Sequence, residues 1–389
     1  MQRIKQEKRY RIFIDLQHKA DAFPRARHQN KHDVIIWCSN DYLAQGHEPH
    51  VIQAMQDALR NYGGGSGGTR NISGTTDLHV QLEKRLARLH NKQAALLFTS
   101  GYVANETTLA TLGQSHPHWA FISDAANHAS MIHGMRAAKA EKHIFQHNDT
   151  DHLEAILATM PSDKPKMIVC ESVYSMDGDF APLKAITQLA QRYHALVYTD
   201  EVHAVGIYGT NGGGGAEKEG VMDAIDIVQG TLAKAFGVMG GYIAGNAQII
   251  DFIRSTAPAF IFTTSLPPTV VAGALKALDH IRDNPHLRTR MLDKAQRMKK
   301  NLKQAGIPML ASPSHIIPII IGDPSLCTQA SQMLLEKGHY VQPVNYPTVP
   351  KKTERLRLTL TPKHTNAMID DFTHAITHVW KTIGRHLKE

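Results

Sequence analysis

Two short segments carry side chains that can do chemistry together. In Thr199-Asp200-Glu201-Val202-His203 an aspartate follows the apolar run Ala195-Leu196-Val197-Tyr198. In Gln229-Gly230-Thr231-Leu232-Ala233-Lys234-Ala235-Phe236-Gly237 a single lysine follows Ile225-Asp226-Ile227-Val228. An acid at the carboxyl end of a buried strand bears a desolvation penalty unless a cation pairs with it. A lysine among small and apolar residues gives up its proton more readily and becomes nucleophilic. In open α/β sheets ligands sit beyond the carboxyl ends of the strands, so successive strand ends place Asp200 and Lys234 over one pocket. A lone Asp and a lone Lys more often make a salt bridge or cap a helix. As a pair they meet what a pyridoxal cofactor requires: an amine for its aldehyde and an acid that keeps its pyridine nitrogen protonated.

A phosphate needs its own place. Thr99-Ser100-Gly101-Tyr102 follows the strand-like run Ala94–Phe98 and opens a helix expected to begin near Val103, where free backbone N–H groups and the helix dipole favour an anion. His128, in Asn127-His128-Ala129-Ser130, follows the run Ala120-Phe121-Ile122 and could stack on a ring, although a single His among 24 is more often structural.

The elements that must hold these residues alternate along the chain. Leu78, Leu82, Leu86 and Leu89 recur at helical spacing, as do Leu183, Ile186, Leu189 and Tyr193. Short apolar runs follow, and further ones lie at His143–Phe145 and Gly241–Ala244. Strand, helix, strand at this interval predicts crossover units around a mainly parallel sheet. Beyond about residue 279 the pattern changes to a basic helical region (Leu287 to Lys303), strands at His315 to Ile321 and Arg355 to Thr361, and a final amphipathic helix. The expected organisation is an N-terminal arm (1–44), a large α/β domain (45–278) and a smaller C-terminal α+β domain (279–389). Gly212-Gly213-Gly214-Gly215 is expected to form a flexible loop.

Composition narrows the function classes. The 389 residues are 42% hydrophobic and 20% charged, a globular balance. No stretch approaches the roughly 18 apolar residues of a membrane helix, so no membrane partner is expected. Net charge is +8, spread over Arg3 to Lys31, Lys351 to Arg357 and Arg385 to Lys388. No zinc-finger spacing or aromatic-basic interleaving points to nucleic acid. Cys38, Cys170 and Cys327 are far apart and set in apolar runs, which predicts a reducing, cytoplasmic setting and no metal cluster. The start Met1-Gln2-Arg3-Ile4-Lys5-Gln6-Glu7-Lys8 has no apolar stretch of a secretory signal.

Several long strings carry a family resemblance: Gly65-Ser66-Gly67-Gly68-Thr69-Arg70-Asn71-Ile72-Ser73-Gly74-Thr75, Glu171-Ser172-Val173-Tyr174-Ser175-Met176-Asp177-Gly178-Asp179, Phe260-Ile261-Phe262-Thr263-Thr264-Ser265-Leu266-Pro267-Pro268, and Asn345-Tyr346-Pro347-Thr348-Val349-Pro350 with Arg355-Leu356-Arg357. With the Asp200 and Lys234 segments, they resemble the α-oxoamine synthases among the fold-type I pyridoxal-phosphate transferases, from about Arg9 to the final helix. The resemblance implies a homodimer with sites at the subunit interface. It implies that Lys234 holds pyridoxal 5'-phosphate and removes a proton from glycine, that Asp200 pairs with the pyridine nitrogen, that His203 donates to the phenolic oxygen, and that His128 stacks on the ring and assists as a general acid. Ser100, Gly101, Tyr102, Thr231 and Ser175 match cofactor positions, and Thr263 matches a residue reaching the neighbouring subunit's phosphate. Arg357 matches the arginine for the amino-acid carboxylate, a suitable role for its fork, and Asn40 a glycine-side residue. Arg11, Thr69, Asn71 and Thr348 match positions that receive a succinyl carboxylate, which implies condensation of glycine with succinyl-CoA at the head of tetrapyrrole (haem) formation. A sibling that uses another acyl-CoA is the alternative.

The chain departs from the family's pattern at Ala44 and Ala233, which stand where glycines are usual. Lys351-Lys352 stands where an Arg-Gly pair is usual, in a stretch that is a mobile lid in the family.

Overall fold

The computed structural model describes residues 2–6, 10–29 and 32–384. Lys8, Arg9 and Lys31, and the basic end Arg385 to Lys388, lie outside the described residues. Fourteen strands run through the described chain: β1 (Leu16–His18), β2 (Arg25–His28), β3 (His32–Ile36), β4 (Ala94–Phe98), β5 (Ala120–Asp124), β6 (Glu141–Phe145), β7 (Lys166–Glu171), β8 (Leu196–Asp200), β9 (Ile227–Thr231), β10 (Gly241–Gly245), β11 (Ile316–Ile320), β12 (His339–Tyr340), β13 (Pro343–Val344) and β14 (Arg355–Thr359).

The chain divides into two compact units, one drawn from residues 48–174 and 180–285, the other from 1–47, 175–179 and 286–389. The expected arm therefore does not stand apart. Its strand β3 pairs in parallel with β12 through Ile35 to His339 and Ile36 to Tyr340, which makes both part of one four-stranded sheet, β1-β2-β3-β12. The boundary expected near 279 falls at Pro285, because the helix Pro268–Asp283 continues unbroken and buries Ala274, Leu278 and Ile281 in the larger unit.

The larger unit is a seven-stranded sheet in the order β4-β10-β9-β8-β7-β5-β6. Only β10 is antiparallel to its neighbours β4 and β9. The sheet is thus mainly parallel, as the strand-helix alternation predicted. A parallel strand covered by helices on both faces must be apolar on both, and β7 shows this: Met167 and Val169 enter one core with Leu109, Phe121 and Tyr198, while Ile168 and Cys170 enter the other with Leu153, Ile186 and Val197. The helix Leu183–Arg192 buries Leu183, Ile186 and Leu189 as its spacing predicted. The helix Asp77–Leu89 buries His79 with Leu82 and Leu86, and the imidazole lies 2.9 Å from the Leu266 carbonyl.

In the smaller unit β11-β14-β13 form an antiparallel sheet. Ile317, Ile319, Leu356 and Leu358 pack there with Trp37 and with Ile369, Phe372, Ile376 and Val379 of the helix Asn366–Ile383. That helix is capped by Thr365, whose Oγ accepts from the Met368 N–H at 3.2 Å. No helix among the described residues is long and apolar enough to cross a membrane.

Candidate active site

In the larger unit the carboxyl ends of β7, β8 and β9 lie side by side, with Glu171 registered against Asp200 and Asp200 against Gln229. Asp200 is the last residue of β8, which runs two residues past the expected Tyr198, and β9 begins at Ile227. Ile225 and Asp226 fall outside β9 because the Asp226 carboxylate accepts from Val197 N at 2.7 Å and its N–H donates to Val197 O. Three residues beyond β9, Lys234 sits half-buried in a turn closed by Leu232 N–H to Gly240 O (2.9 Å), Val238 N–H to Leu232 O (3.0 Å) and Gly237 N–H to Lys234 O (2.9 Å). Asp200 and Lys234 thus lie at adjacent strand ends, close enough for the lysine's charge to act on the carboxyl.

Asp200 is buried and nevertheless built to carry charge. Asn105 Nδ2 donates to its Oδ2 at 2.7 Å and Val202 N–H to its Oδ1 at 2.8 Å. Burial raises its pKa above the ordinary range, and the two donors, His128 and Lys234 pull it back. No sequence motif marks Asn105. It lies in the helix Gly101–Ser115, wholly buried, where it also donates to Ser130 Oγ (3.0 Å) and accepts from the Tyr198 hydroxyl (2.7 Å). The available signal was an amide on a helix face shared with Ala104, Thr108, Leu109 and Leu112, since a buried amide must be spoken for.

Glu201 explains the glycine run. It is fully buried, accepts from the Ser172 hydroxyl, and takes Gly215 N–H at 2.7 Å and Ala216 N–H at 2.8 Å. Gly212 to Gly215 are buried rather than a flexible loop. Gly214 has φ 109°, and a Cβ there would strike the Glu201 carboxylate, while one on Gly215 would come within 2.7 Å of Ser172 Cβ. Donors reach this acid only because glycine lets the backbone approach. Burial still pushes Glu201 up to about 7.

The phosphate-side expectation holds local geometry. The helix begins at Gly101, not near Val103, because Ser100 caps it: Ser100 Oγ accepts from Val103 N at 3.1 Å. A Cβ on Gly101 would lie 3.1 Å from Gln229 Nε2 and 3.3 Å from Thr231 Cβ, so the helix start and the end of β9 meet with room for no side chain. Thr231 is buried, donates to Gly240 O (3.0 Å) and accepts from Ala233 N–H (3.1 Å). Helix N-terminus, threonine and lysine turn therefore converge, a cradle suited to a phosphate-bearing aldehyde. Tyr102 is exposed and hydrogen-bonds His133, and its ring meets His128 edge-on at 6.2 Å.

His128 caps the helix Ala129–Ala137, its Nδ1 accepting from Ser130 N–H at 3.3 Å. Although the residue is exposed, the protein around its ring lowers its pKa, desolvation first, then Lys234 and His133 against the opposing pull of Asp200. His203 is buried three residues beyond Asp200. Thr69 accepts from Ile72 N–H at 3.3 Å and pairs with Thr264 in an isolated bridge, which brings the Thr263 segment beside it; Asn71 is exposed. Arg70 fastens this loop to Glu83 through two bonds, at 2.6 and 3.0 Å.

The smaller unit gathers the remaining candidates. Arg357, on β14, is buried and donates to Ser175 O (2.6 Å), Asn40 Oδ1 (3.3 Å) and Tyr42 OH (3.0 Å), all neutral oxygens. Arg11, on the N-terminal segment, donates to Thr348 Oγ at 2.8 Å. Both line a cavity of about 650 Å³ with Phe13 and Tyr346. Arg357, Asn40 and Ser175 thus form one group, and Arg11 and Thr348 another.

The family model for aminotransferase class I and II matches residues 32–376. The chain is 52% identical to a 5-aminolevulinate synthase of Bradyrhizobium diazoefficiens over 393 residues, covering 100% of this chain and 96% of the relative. It is 52% identical to one of Rhizobium meliloti, covering 96% and 94%. A serine palmitoyltransferase from S. paucimobilis with bound PLP superposes with a TM-score of 0.91 at 32% identity over 96% of this chain and 93% of that one. By its full-length likeness, the chain belongs to the aminotransferase class I and II family and, within it, to the 5-aminolevulinate synthases.

Proposed function

We propose that this protein condenses glycine with succinyl-CoA to give 5-aminolevulinate, CoA and carbon dioxide, with pyridoxal phosphate bound at Lys234. The observation that carries the reading is the buried Asp200, held for charge by Asn105 and the Val202 N–H and set one strand from the turn of Lys234. When bound, the cofactor supplies an electron sink for the carbanion made at the glycine α-carbon.

The protein's own groups do the rest. Lys234 Nζ holds the cofactor and then takes the α-proton. Asp200 stays ionised against the pyridine nitrogen, His203 orients the phenolic oxygen, and Ser100, Gly101, Tyr102, Ser175 and Thr231 serve the cofactor's periphery. Thr263 serves the neighbouring subunit in a homodimer. His128, at the start of the helix Ala129–Ala137 beside Asp200 and Lys234, acts as general acid during acylation and decarboxylation. The fork of Arg357 receives the glycine carboxylate beside Asn40. Arg11, Thr69, Asn71 and Thr348 receive the succinyl carboxylate, which would be costly to bury unpaired. The three unpaired cysteines suit a cytoplasmic setting.

The test is product formation by purified protein supplied with pyridoxal phosphate, glycine and a panel of acyl-CoAs, alongside Lys234→Ala. Strong preference for succinyl-CoA and an inactive variant support the reading. Preference for acetyl-CoA or a longer acyl-CoA moves the protein to a sibling reaction with the same lysine chemistry.

A further inference from the structure

Glu171 closes β7 in register with Asp200 on β8, and it is 2% exposed. Its Oε1 has no hydrogen-bond partner among the described residues, and the His128 backbone N–H is directed at the carboxyl group. The charged and titratable groups around it are Asp200, Asp124 and Lys234, with Cys170 and Tyr174 on its own segment. The mechanism above gives it no part.

Two buried carboxylates on neighbouring strands, about 5 Å apart along the hydrogen-bonding direction, do not both ionise beside one lysine. Asp200 has two donors at 2.7 and 2.8 Å. Glu171 has one donor and an orphaned oxygen, and an ionised carboxylate left in that state carries a desolvation cost that a neutral one avoids. The proton therefore belongs on Glu171. Burial, then Asp200, push its pKa well above the ordinary carboxylate range.

We propose that Glu171 is a neutral, proton-bearing positioning residue, which holds the backbone turn that presents His128 and leaves Asp200 as the negative charge of the β7–β8 pair. The proposal rests on the functional reading above, because Asp200 needs to be the lone anion only if it faces a protonated ring nitrogen. It also differs from a purely structural role: an isosteric neutral amide should replace a neutral acid, whereas it cannot replace a carboxylate.

The experiment compares wild type, Glu171→Gln and Glu171→Leu by two readouts. Infrared spectra of the cofactor-free proteins should show a protonated-carboxyl C=O band at neutral pH that Glu171→Gln removes. With pyridoxal phosphate added, the pH midpoint of the lysine-bound cofactor's visible band should be the same in wild type and Glu171→Gln. Glu171→Leu, which loses the bond to the His128 turn, should weaken cofactor binding. A carboxylate band lost in Glu171→Gln, or a midpoint moved by about one to two pH units, the shift expected on removing a buried charge at this range, overturns the proposal alone. A wild-type protein with no Lys234-dependent band overturns the functional reading and the proposal with it.

Discussion

Replacing Asn105 by alanine removes a side chain that touches no predicted substrate, yet it should move the pH at which the cofactor binds. In the wild type the amide donates to Asp200 Oδ2 at 2.7 Å inside a site with no exposed surface on either partner side chain worth counting. A hydrogen bond to a buried charge contributes about 1.5–3 kcal/mol, and 1.36 kcal/mol corresponds to one pKa unit. The already raised pKa of Asp200 should therefore climb by roughly one to two further units. The sign follows from linkage. A folded-state pKa above the unfolded value makes ionisation a cost, so the extra destabilisation is absent where Asp200 is protonated in both proteins and fully present above the variant's new pKa. Cofactor affinity, which needs the ionised form, should lose its acid limb at a pH about one to two units higher than wild type. The assay is cofactor affinity against pH by the visible band of the lysine-bound form, with Asn105→Asp as a second variant whose added acid should shift the midpoint further. An unchanged midpoint in Asn105→Ala, with weakened affinity at every pH, would refute the argument that the amide works through the charge of Asp200.

Three further outcomes follow from local geometry. Arg357→Lys keeps the charge but loses the fork that meets Ser175 O, Asn40 and Tyr42; the glycine KM should rise about tenfold to a hundredfold, the size of one lost charge-assisted bond, in steady-state kinetics. Lys352 sits at φ 68°, a conformation that costs a non-glycine residue about 1–2 kcal/mol. Lys352→Gly should raise stability by about 0.5–1 kcal/mol once the added freedom of the unfolded chain is subtracted, measured by urea denaturation. Buried His364 accepts from Thr361 N–H at 3.0 Å through Nδ1 and faces Ile36 O at 3.0 Å through Nε2, which fits a neutral ring and holds its pKa down to about 4. Its folded pKa is depressed, so stability present above the unfolded value near 6.5 is lost as pH falls toward 4, up to about 3 kcal/mol. His364→Asn should be less stable at pH 7 but should flatten that acid limb.

Much of the larger unit was legible because parallel strands and their helices announce themselves by period. β4, β5 and β10 fall where their apolar runs predicted, and so do Asp200 and Lys234 at adjacent strand ends. The misplacements have physical causes. β9 starts late because a side chain, Asp226, takes over a backbone role at its entry. The arm merges with the C-terminal region because β3 and β12 pair across some 300 positions of chain, which no local pattern records. Gly212 to Gly215 read as a loop because a glycine run says only that the backbone must go somewhere side chains cannot, and the reason, Glu201, lies eleven residues earlier. Asn105 is hard to single out for the opposite reason: one amide on an apolar helix face carries no motif, and its meaning depends on Asp200 and Tyr198 arriving from a strand.

The buried acids at this edge of the sheet show how neighbouring groups of the same type come to hold different charges. Asp124 takes Ala126 N–H at 2.8 Å, Asn148 N–H at 2.9 Å and the His147 ring at 2.8 Å. Glu201 is supplied with a hydroxyl and two backbone N–H groups by a glycine run, and Asp200 with an amide and one N–H. Glu171, between Asp124 on β5 and Asp200 on β8 in the sheet order, has the fewest donors, and burial, then Asp200, push its pKa well above the ordinary carboxylate range. Burial raises Glu171, Asp200 and Glu201 alike, and the donors that the backbone and its helices deliver oppose that rise. A charge placed on Asp200 is therefore a property of Asn105 and Val202 as much as of Asp200. Removing one such donor, for example Asn105 of the helix Gly101–Ser115, should shift the proton among these acids before it disturbs the fold.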